Sequence, residues 1–354
     1  MTDIEKNKKN DKKNHKGFLA ENKSHTSSLL KRARKTIAMY LILLVSILVI
    51  LGILFYTSIK GMRLNDLQNQ QRAMLHNVHD VINRDIKMIT DDLKILAAGE
   101  HATNLFDNSG NINPKEKQAL IRHFLLKSEI TDMYYQLRIL DKEGMEVIRV
   151  DQKNGKTVLI PDIELQNEAE ELYFKETIKL NSGEVYISEM DLAVSNGRIV
   201  YPHMPTFRGG IPFTNEAGEK MGIIVFNFNA DIILQDISLF DNIDKNKDLM
   251  LLDPRGYWLK GTTTDVEWAF MYPGRESVSF AHYYPEEWKQ IMSKNSGTFA
   301  SQEGAIAFKK IYSNDTETFE NTQGGEKYYW IAVSMVSKEV LTRENLNLLR
   351  TIVA

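Results

Sequence analysis

The chain has 354 residues, a length that suggests two core-forming units. Of these residues 43% are hydrophobic and 26% charged, a composition ordinary for a folded protein. It contains no cysteine, which excludes disulfide bonds, thiolate metal sites and a cysteine nucleophile. Residues 1–35 hold 11 Lys and Arg against 4 Asp and Glu, so they carry +7 while the remaining chain carries −10, and this asymmetry indicates that the two parts lie in different surroundings.

The first predicted element is a membrane-spanning helix at residues 36–59. These 24 consecutive residues carry no charge, and a helix of that length reaches about 36 Å, enough for a hydrocarbon core of about 30 Å. A buried core helix or a cleaved signal peptide fits this long, unbroken apolar stretch less well. The sequence therefore predicts a single-pass protein of the cell inner (plasma) membrane.

The charges on either side of this helix predict its orientation. Four basic residues fall within 31–35, whereas only Lys60 and Arg63 follow the span before the charges become mixed. The positive-inside rule therefore places residues 1–35, a basic tail expected to be disordered, in the cytoplasm. The main domain is then periplasmic or extracellular.

A long amphipathic helix is predicted next. Apolar residues recur at steps of three and four from Met62 to about Ala98, and Gly99 is suited to end the helix. Such a helix needs a second surface along its apolar face, which either its own domain or a partner helix in a parallel homodimer can supply. A second helix is predicted from Pro114 to about Glu129, because proline favours the first helical turn.

After Tyr134 the hydrophobic period changes to two, which predicts strands separated by turns and short helices. Asn196-Gly197 is interpreted as the hairpin turn that joins strand 184–188 to strand 198–206, and Gly209-Gly210 as a turn. The predicted strands are 136–141, 145–150, 184–188, 198–206, 222–228, 248–253, 257–260, 297–302, 305–312 and 327–336, with helices at 167–180, 230–239 and 285–292.

A weak internal repeat divides this region. Leu140–Gly144 and Leu252–Gly256 both read as the end of a strand, an aspartate, a short turn and a glycine, at a spacing of 112 residues. The pattern predicts an α+β fold in which two antiparallel-sheet modules stand in tandem behind one long helix.

Six short segments carry a resemblance to a known family. In order they are YQLRILD at 135–141, LYFKET at 172–177, GEVYIS at 183–188, GYWLKG at 256–261, EWAFMY at 267–272 and YPEEW at 284–288. Through them, residues 62–350 resemble the double Cache sensor domains of bacterial sensor histidine kinases, diguanylate cyclases and chemoreceptors. The resemblance implies two PAS-like modules stacked along one stalk helix, with a ligand bound in the membrane-distal module.

The resemblance also implies a division of the chain. The parts are a basic tail at 1–35, the transmembrane helix at 36–59, the stalk and second helix at 60–129, the membrane-distal module at 130–240, the membrane-proximal module at 241–338, and the start of a descending helix at 339–354. Family members normally return through the membrane to a cytoplasmic output domain, so any kinase or cyclase domain would lie beyond residue 354. We expect a truncated product, a fragment of a larger gene, or a receptor that signals through another chain.

Arg138 is the leading candidate for ligand contact. It alternates with Leu137 and Ile139 on a predicted strand, and a cation on the inward face of a sheet is costly unless it is paired or faces a ligand. The alternatives are a salt bridge with Asp141 or Asp191, or a solvent-facing position. The segments that line the pocket in the resembling family add seven candidates, namely Arg149, Tyr173, Phe174, Tyr186, Ser188, Tyr201 and Arg208. Trp258, Trp268 and Trp288 are expected to pack in the core.

The sequence contains none of the common catalytic motifs, and we expect neither an enzyme nor a cofactor. His76 and His79 stand three residues apart on the stalk helix, but a zinc site needs a third or fourth ligand. Asp80 is expected to point elsewhere, so the sequence favours a solvated or interfacial histidine pair and no metal.

The predicted function is that of an extracytoplasmic small-molecule sensor in a membrane-bound signal-transduction receptor of the two-component or chemotaxis type. The ligand would be a carboxylate, an amino acid or an amine, and the signal would pass through the stalk helix of a homodimer. Nucleic acid is not an expected partner. The alternatives are a protein-interaction module that docks a binding protein or another receptor chain, and a receptor fragment without output.

Overall fold

The computed structural model describes the backbone of residues 3–107, 109–153, 155–195, 197–241, 246–312 and 328–353, and the side chains of these residues from Lys31 onward except 241 and 352–353. The chain divides into two compact units, Met1–Asp66 with Leu349–Ala354, and Leu67–Leu348. A single helix, α1, runs from Asp3 to Ala97.

The first unit contains the apolar part of α1. Within Lys31–Ala97, an 18-residue window has a mean hydropathy of 3.0 and is 0% buried, so this helix is long and apolar enough to cross a membrane. Because α1 begins at Asp3, the backbone of most of the tail at 1–35 is helical. No proline precedes Pro114, so nothing in the sequence interrupts this helix. The disorder expected for the tail stays a prediction, since the side chains before Lys31 lie outside the described part.

The second unit contains the amphipathic part of α1, and the predicted period is confirmed. Seven apolar side chains at steps of three and four are at most 7% exposed, namely Leu75, Val78, Ile82, Ile86, Ile89, Leu93 and Leu96. They belong to one hydrophobic core that also includes residues of both sheets described below. The surface that this face requires is therefore supplied by the chain itself.

Short helices complete the second unit. They are α2 (Glu100–Thr103), α3 (Pro114–Ile130), α4 (Leu172–Thr177), α5 (Asp231–Asp241), α6 (Phe280–Tyr283), α7 (Pro285–Met292) and α8 (Lys338–Val353), the last of which continues into the first unit. The helix predicted at 167–180 is reduced to α4. Asn167 forms an isolated bridge with Met145, and its side chain accepts a hydrogen bond from the N–H of Ala169, so this stretch has an extended and turn conformation instead.

The first sheet has seven antiparallel strands in the order β3-β2-β1-β9-β8-β4, with β5 also paired to β8. The strands are β1 (Tyr134–Asp141), β2 (Glu146–Lys153), β3 (Lys156–Leu159), β4 (Tyr186–Ile187), β5 (Asp191–Leu192), β8 (Pro205–Thr214) and β9 (Lys220–Asn229). A separate hairpin is formed by β6 (Val194–Ser195) and β7 (Arg198–Ile199).

The second sheet has five antiparallel strands in the order β11-β10-β14-β13-β12. They are β10 (Asp248–Leu252), β11 (Trp258–Lys260), β12 (Ser296–Ala300), β13 (Gly304–Tyr312) and β14 (Tyr329–Ser337). The order β2-β1-β9-β8-β4 in the first sheet matches this order. If the five strands of each set are numbered along the chain, both sets lie side by side as second, first, fifth, fourth and third. The α+β fold with two tandem PAS-like modules behind one long helix is thereby confirmed.

The internal repeat corresponds to one turn geometry used twice. Asp141 Oδ1 accepts hydrogen bonds from the N–H groups of Glu143 and Met145, both at 2.9 Å. Asp253 Oδ1 accepts from the corresponding N–H groups two and four residues on, at 2.9 and 2.8 Å. The glycine of each turn, Gly144 or Gly256, has a positive φ of 85° or 89°.

Two of the turns predicted from glycine-containing dipeptides need correction. Asn196 lies outside the described residues, and Gly197 directly precedes β7, which pairs with β6 and not with β4. Tyr186 of β4 pairs with Gly210 of β8. Gly209-Gly210 is not a turn, because it lies in the middle of β8. Neither glycine has room for a side chain, because Leu93 of α1 lies next to Gly209 and Thr177 of α4 lies next to Gly210.

Candidate ligand-binding site

The first sheet has two different faces. One face packs against α1: a Cβ added to Gly209 would come within 2.9 Å of Leu93 Cδ1 and 3.2 Å of Ile89 Cγ2. The other face is covered by α4, since a Cβ added to Gly210 would overlap Thr177 Oγ1. Neighbouring residues of a strand point to opposite faces, so these adjacent glycines bring the two helices against opposite sides of one strand.

A row of paired residues crosses the sheet on the face that α4 covers. Arg138 of β1 is opposite Arg149 on β2 and Val225 on β9. Val225 is opposite Gly210, which in turn is opposite Tyr186 of β4. Directly paired residues share a face, so the sheet itself aligns Arg138, Arg149 and Tyr186.

The next row on this face is polar along its whole length. Gln136 of β1 is opposite Asp151 and Asn227, and Asn227 is opposite Arg208. The side-chain amides are engaged within the row: Gln136 Nε2 donates to Asp151 Oδ1 at 2.8 Å, and Asn227 Nδ2 donates to Gln136 Oε1 at 3.3 Å. The row on the other side of Arg138 is mixed, because Leu140 is opposite Ile223 on β9 and the buried Glu146 on β2. Leu140 and Ile223 belong to an apolar cluster that includes Tyr173 and Phe174 of α4.

Arg138 is 4% exposed and its charge is only loosely compensated. Its Nη1 lies 3.5 Å from Oε1 of Glu146 and 3.5 Å from Oε1 of Glu168, and Nη2 donates to Asn227 Oδ1 at 3.2 Å. Its Nε–H has no hydrogen-bond partner among the described residues. The two carboxylates considered from the sequence are not its partners: Asp141 caps its own turn, and Asp191 pairs with another arginine.

Tyr173 of α4 contacts two guanidinium groups. The Cζ atom of Arg138 is 4.9 Å from the centre of its ring, and that of Arg208 is 5.9 Å away, so both contacts are of the cation–π type. The buried phenol oxygen finds no hydrogen-bond partner within the described part of the chain. Burial raises the pKa of Tyr173, so the phenol remains a neutral donor.

Arg208 forms the third corner of the site. Its Nη1 donates to Asp191 Oδ2 at 3.1 Å, and its backbone N–H donates to Ser188 Oγ at 2.8 Å. Burial raises the pKa of Asp191 although the nearby Arg208 opposes this shift. The second oxygen of Asp191, Oδ1, is buried and accepts no hydrogen bond from any described residue. Asp191 therefore keeps acceptor capacity at the edge of the site.

The remaining candidates are distributed differently. Arg149 is held by Asp151, with Nε to Oδ1 at 2.9 Å, and this arginine keeps the pKa of Asp151 low despite burial. Phe174 packs in the apolar cluster below α4, whereas Tyr186 is half-buried at its margin, where burial raises its pKa to about 12. Tyr201 is 86% exposed and contacts His203, so the structure does not bring it to this site.

Sequence reasoning missed several polar residues of the site. All of these residues have side chains on the face that α4 covers or beside it. They are Gln136, Glu146, Thr177 and Asn227, together with Glu168, which precedes α4. One signal was available: Gln136 and Arg138 alternate in β1, and Asn227 interrupts the otherwise apolar run Ile223–Phe228 of β9. Glu168 comes close only through tertiary structure.

A cleft away from this face is lined by residues of both modules. This cleft of about 230 Å³ is lined by His203, Pro205, Asp231, Leu234, Gln235, Ser238, Lys260, Glu267 and Trp268. Lys260 pairs with Glu267 at 3.2 Å, and burial together with Glu267 raises the pKa of Asp231. Trp268 is buried and has the left-handed φ of 58°. Trp258 and Trp268 lie in the core as expected, and Trp288 packs against it.

Comparisons with known proteins cover most of the second unit. Residues 77–320 match the family model described as "Bacterial histidine kinase, sensor domain". No curated protein sequence matches the chain.

Solved structures with the same fold come from several receptor types. The extracellular domain of the histidine kinase vpHK1S-Z8 superposes with a TM-score of 0.63 at 17% identity, covering 80% of this chain and 96% of that one. A domain of a sensory box/GGDEF family protein from Vibrio parahaemolyticus gives 0.62 at 18% identity, covering 79% and 99%. A methyl-accepting chemotaxis protein gives 0.53 at 11% identity, covering 77% and 98%.

Proposed function

The chain belongs to the bacterial histidine kinase sensor-domain family, and on that premise we propose that it senses a small molecule outside the cytoplasm for a membrane-bound signal-transduction receptor. The ligand binds in the membrane-distal module, on the sheet face that α4 covers. The apolar segment of α1 anchors the domain, with the basic tail in the cytoplasm. The family is one of sensors, so this domain itself has no catalytic role.

The observation that supports this site most strongly is a set of buried polar atoms without partners. They are Arg138 Nε, Tyr173 Oη, Thr177 Oγ1 and Asp191 Oδ1, each of which lacks a hydrogen bond to any described residue. Leaving such a group unsatisfied costs about 1–3 kcal/mol. Four of them around one helix and one sheet face favour a surface adapted to bind a polar ligand.

The charges around these atoms favour a particular ligand chemistry. Arg138 and Arg208 both place a guanidinium group near the Tyr173 ring, an arrangement suited to a carboxylate or similar anion. Glu168 and Asp191 place carboxylates beside the same arginines, where an ammonium group would be accepted. We therefore propose a small carboxylate, and foremost one that also carries an amine, over a purely cationic or apolar ligand.

The two glycines of β8 suggest how binding is transmitted. Gly210 is in contact range of Thr177 on α4, and Gly209 is in contact range of Leu93 on α1. A ligand that displaces α4 would press on β8, and the adjacent residue of β8 would press on α1. Packed interfaces of this kind respond by shifting rather than by compressing. The stalk helix is thus the proposed route of the signal.

The mode of dimerisation follows from the burial of α1. The apolar seam from Leu75 to Leu96 is covered by the chain's own sheets. A homodimer through the stalk would therefore use the opposite side of α1, where Met88 and Ile95 are exposed.

A thermal-shift screen of the full chain in detergent, against carboxylates, amino acids and amines, tests the proposal. A ligand at 100 times its dissociation constant should stabilise the protein by about 2.7 kcal/mol. Arg138→Lys should weaken binding of any hit about tenfold or more, because lysine cannot replace a planar, bidentate donor.

Arg255→Lys is the matched control. Arg255 also contacts aromatic rings and pairs with a buried aspartate, but it does so in the second module. Equal loss of affinity in both variants, or binding unaffected by Arg138→Lys, would contradict the proposed site. A complete screen without any stabilising compound would contradict small-molecule sensing itself.

A further inference from the structure

Three residues on one side of α1 come together in a way that the sequence did not predict. Asp80 was expected to point away from the two histidines, and this expectation was wrong. Asp80 Oδ2 lies 3.6 Å from Nε2 of His76, and Asp80 Oδ1 lies 3.2 Å from Nδ1 of His79. The reason is helical geometry: Asp80 is four residues after His76, and such pairs are neighbours on the helix surface.

The donor atoms have spacings close to those of a metal site. One ligand atom from each of His76, His79 and Asp80 can be chosen so that all three lie within 4.8 Å of one another. Around a metal with bonds of about 2.1 Å, tetrahedral ligands would be about 3.4 Å apart. The two carboxylate–imidazole distances, 3.6 Å and 3.2 Å, involve the two different oxygens of Asp80 and lie on either side of this separation. The two imidazole rings are neighbours, nearly parallel at 15° with centroids 6.2 Å apart.

We propose that His76, His79 and Asp80 bind one divalent transition-metal ion of the Zn²⁺ or Ni²⁺ type. Two imidazoles and one carboxylate form a donor set that suits these ions and disfavours Ca²⁺ and Mg²⁺, which prefer oxygen ligands alone. His76 and Asp80 are largely exposed, so water completes the coordination. The site is separate from the ligand-binding face and does not depend on the proposed sensing function.

Asn83, one helical turn after His79, also contacts this imidazole. Its Nδ2 lies 3.4 Å from Nδ1 and 3.0 Å from Nε2 of His79, so the amide packs against the ring. This contact restricts the orientation of one of the two proposed histidine ligands.

The surroundings hold the three ligands on a rigid support. Leu75 and Val78 are buried on the opposite side of the same helical turns, and Gln71, one turn earlier, bonds to Ala305 and Ser334 of the second sheet. The ligands therefore sit on a segment of α1 that is fixed against the membrane-proximal module. A bound ion would link consecutive turns of the stalk helix.

Isothermal titration of ZnCl₂ into the full chain in detergent, freed of metal beforehand, tests the proposal. We expect one high-affinity ion per chain, weakened at least tenfold in each of His76→Gln, His79→Gln and Asp80→Asn, and no comparable heat with CaCl₂. His101→Gln is the matched control, because His101 also pairs with a carboxylate, Glu116 at 2.6 Å, but lies outside the proposed site.

The result is decided by comparison among these variants. Zn²⁺ binding that survives all three ligand substitutions would place the ion elsewhere, for example on His15 or His25 of the tail, and would overturn the proposal. Absence of Zn²⁺ binding by the unmodified chain would overturn it as well. Circular dichroism of each variant shows whether the fold is retained, and a variant that loses helicity is replaced by His79→Asn or His76→Asn at the same position.

Discussion

Replacing Tyr173 with phenylalanine separates the cost of the binding face from its function. The hydroxyl of Tyr173 is buried and makes no hydrogen bond to the described residues, whereas its ring contacts two arginines. Phenylalanine keeps the ring and both cation–π contacts and removes only the unsatisfied oxygen. The unliganded domain should therefore become more stable, while a ligand that bonds to the hydroxyl should bind more weakly.

The size of the effect follows from the burial of the group. A buried hydroxyl without a partner costs about 1–3 kcal/mol. Removing it also removes the packing contacts of its oxygen, so the expected net gain in the free energy of unfolding is about 1 kcal/mol. For a domain of this size, 1 kcal/mol corresponds to about 2–4 °C in melting temperature. Loss of one hydrogen bond to a ligand would weaken binding about tenfold.

Tyr134→Phe is the control, for which the expected change in stability is a loss rather than a gain. The hydroxyl of Tyr134 donates to Asp92 Oδ2 at 2.6 Å, so its removal should destabilise the domain by about 1.5–3 kcal/mol. Melting of the full chain, followed by near-ultraviolet circular dichroism, compares the two variants directly. A fall in the melting temperature of Tyr173→Phe similar to that of Tyr134→Phe would show that the Tyr173 hydroxyl is satisfied in the folded protein, and would refute the reasoning.

Three further substitutions test the packing and electrostatics of the second unit. Gly210→Ala should destabilise the domain by about 1–3 kcal/mol through overlap with Thr177 Oγ1, and adding Thr177→Ala should restore most of this loss in urea unfolding, whereas additive effects would contradict the contact. Gln71→Met should cost about 2 kcal/mol in the same assay, because Gln71 Nε2 donates to the carbonyls of Ala305 and Ser334 inside the core, and an unchanged stability would mean that those bonds are replaced. Burial raises the pKa of Asp191 above its ordinary value of 3.8. Between these two values the folded state holds a proton that the unfolded state has released, so this carboxyl stabilises the fold increasingly as the pH falls through that interval. In Asp191→Asn that component should be missing from stability measured against pH, and an identical pH profile would contradict the assignment.

Local patterns in the sequence predicted most of the elements correctly. Alternation of apolar residues identified most strands of both modules, and steps of three and four identified the buried seam of α1, because the side chains on one face of an element share one environment. The ten-residue strand β8 was not predicted, since 198–206 was read as a strand and Gly209-Gly210 as a turn. The repeated Asp-turn-Gly was readable for the same reason, since its hydrogen bonds join residues at most four positions apart. The helix at 167–180 was overpredicted because Asn167 pairs with Met145, a partner that local propensity does not reveal.

The sequence by itself determined the apolar helical segment long enough to cross a membrane, the long amphipathic helix and the tandem α+β modules, because each of these follows from periodicity and hydrophobicity within one stretch of chain. It also identified Arg138, Tyr173 and Arg208 as candidates, but not their arrangement. Only the tertiary structure decided that these residues surround one face, that Glu146 and Glu168 are the neighbours of Arg138, and that Gly209 and Gly210 admit helices on opposite sides of β8. The physical reason is that strand register and helix docking join residues far apart in the chain, and those choices depend on how the whole core packs.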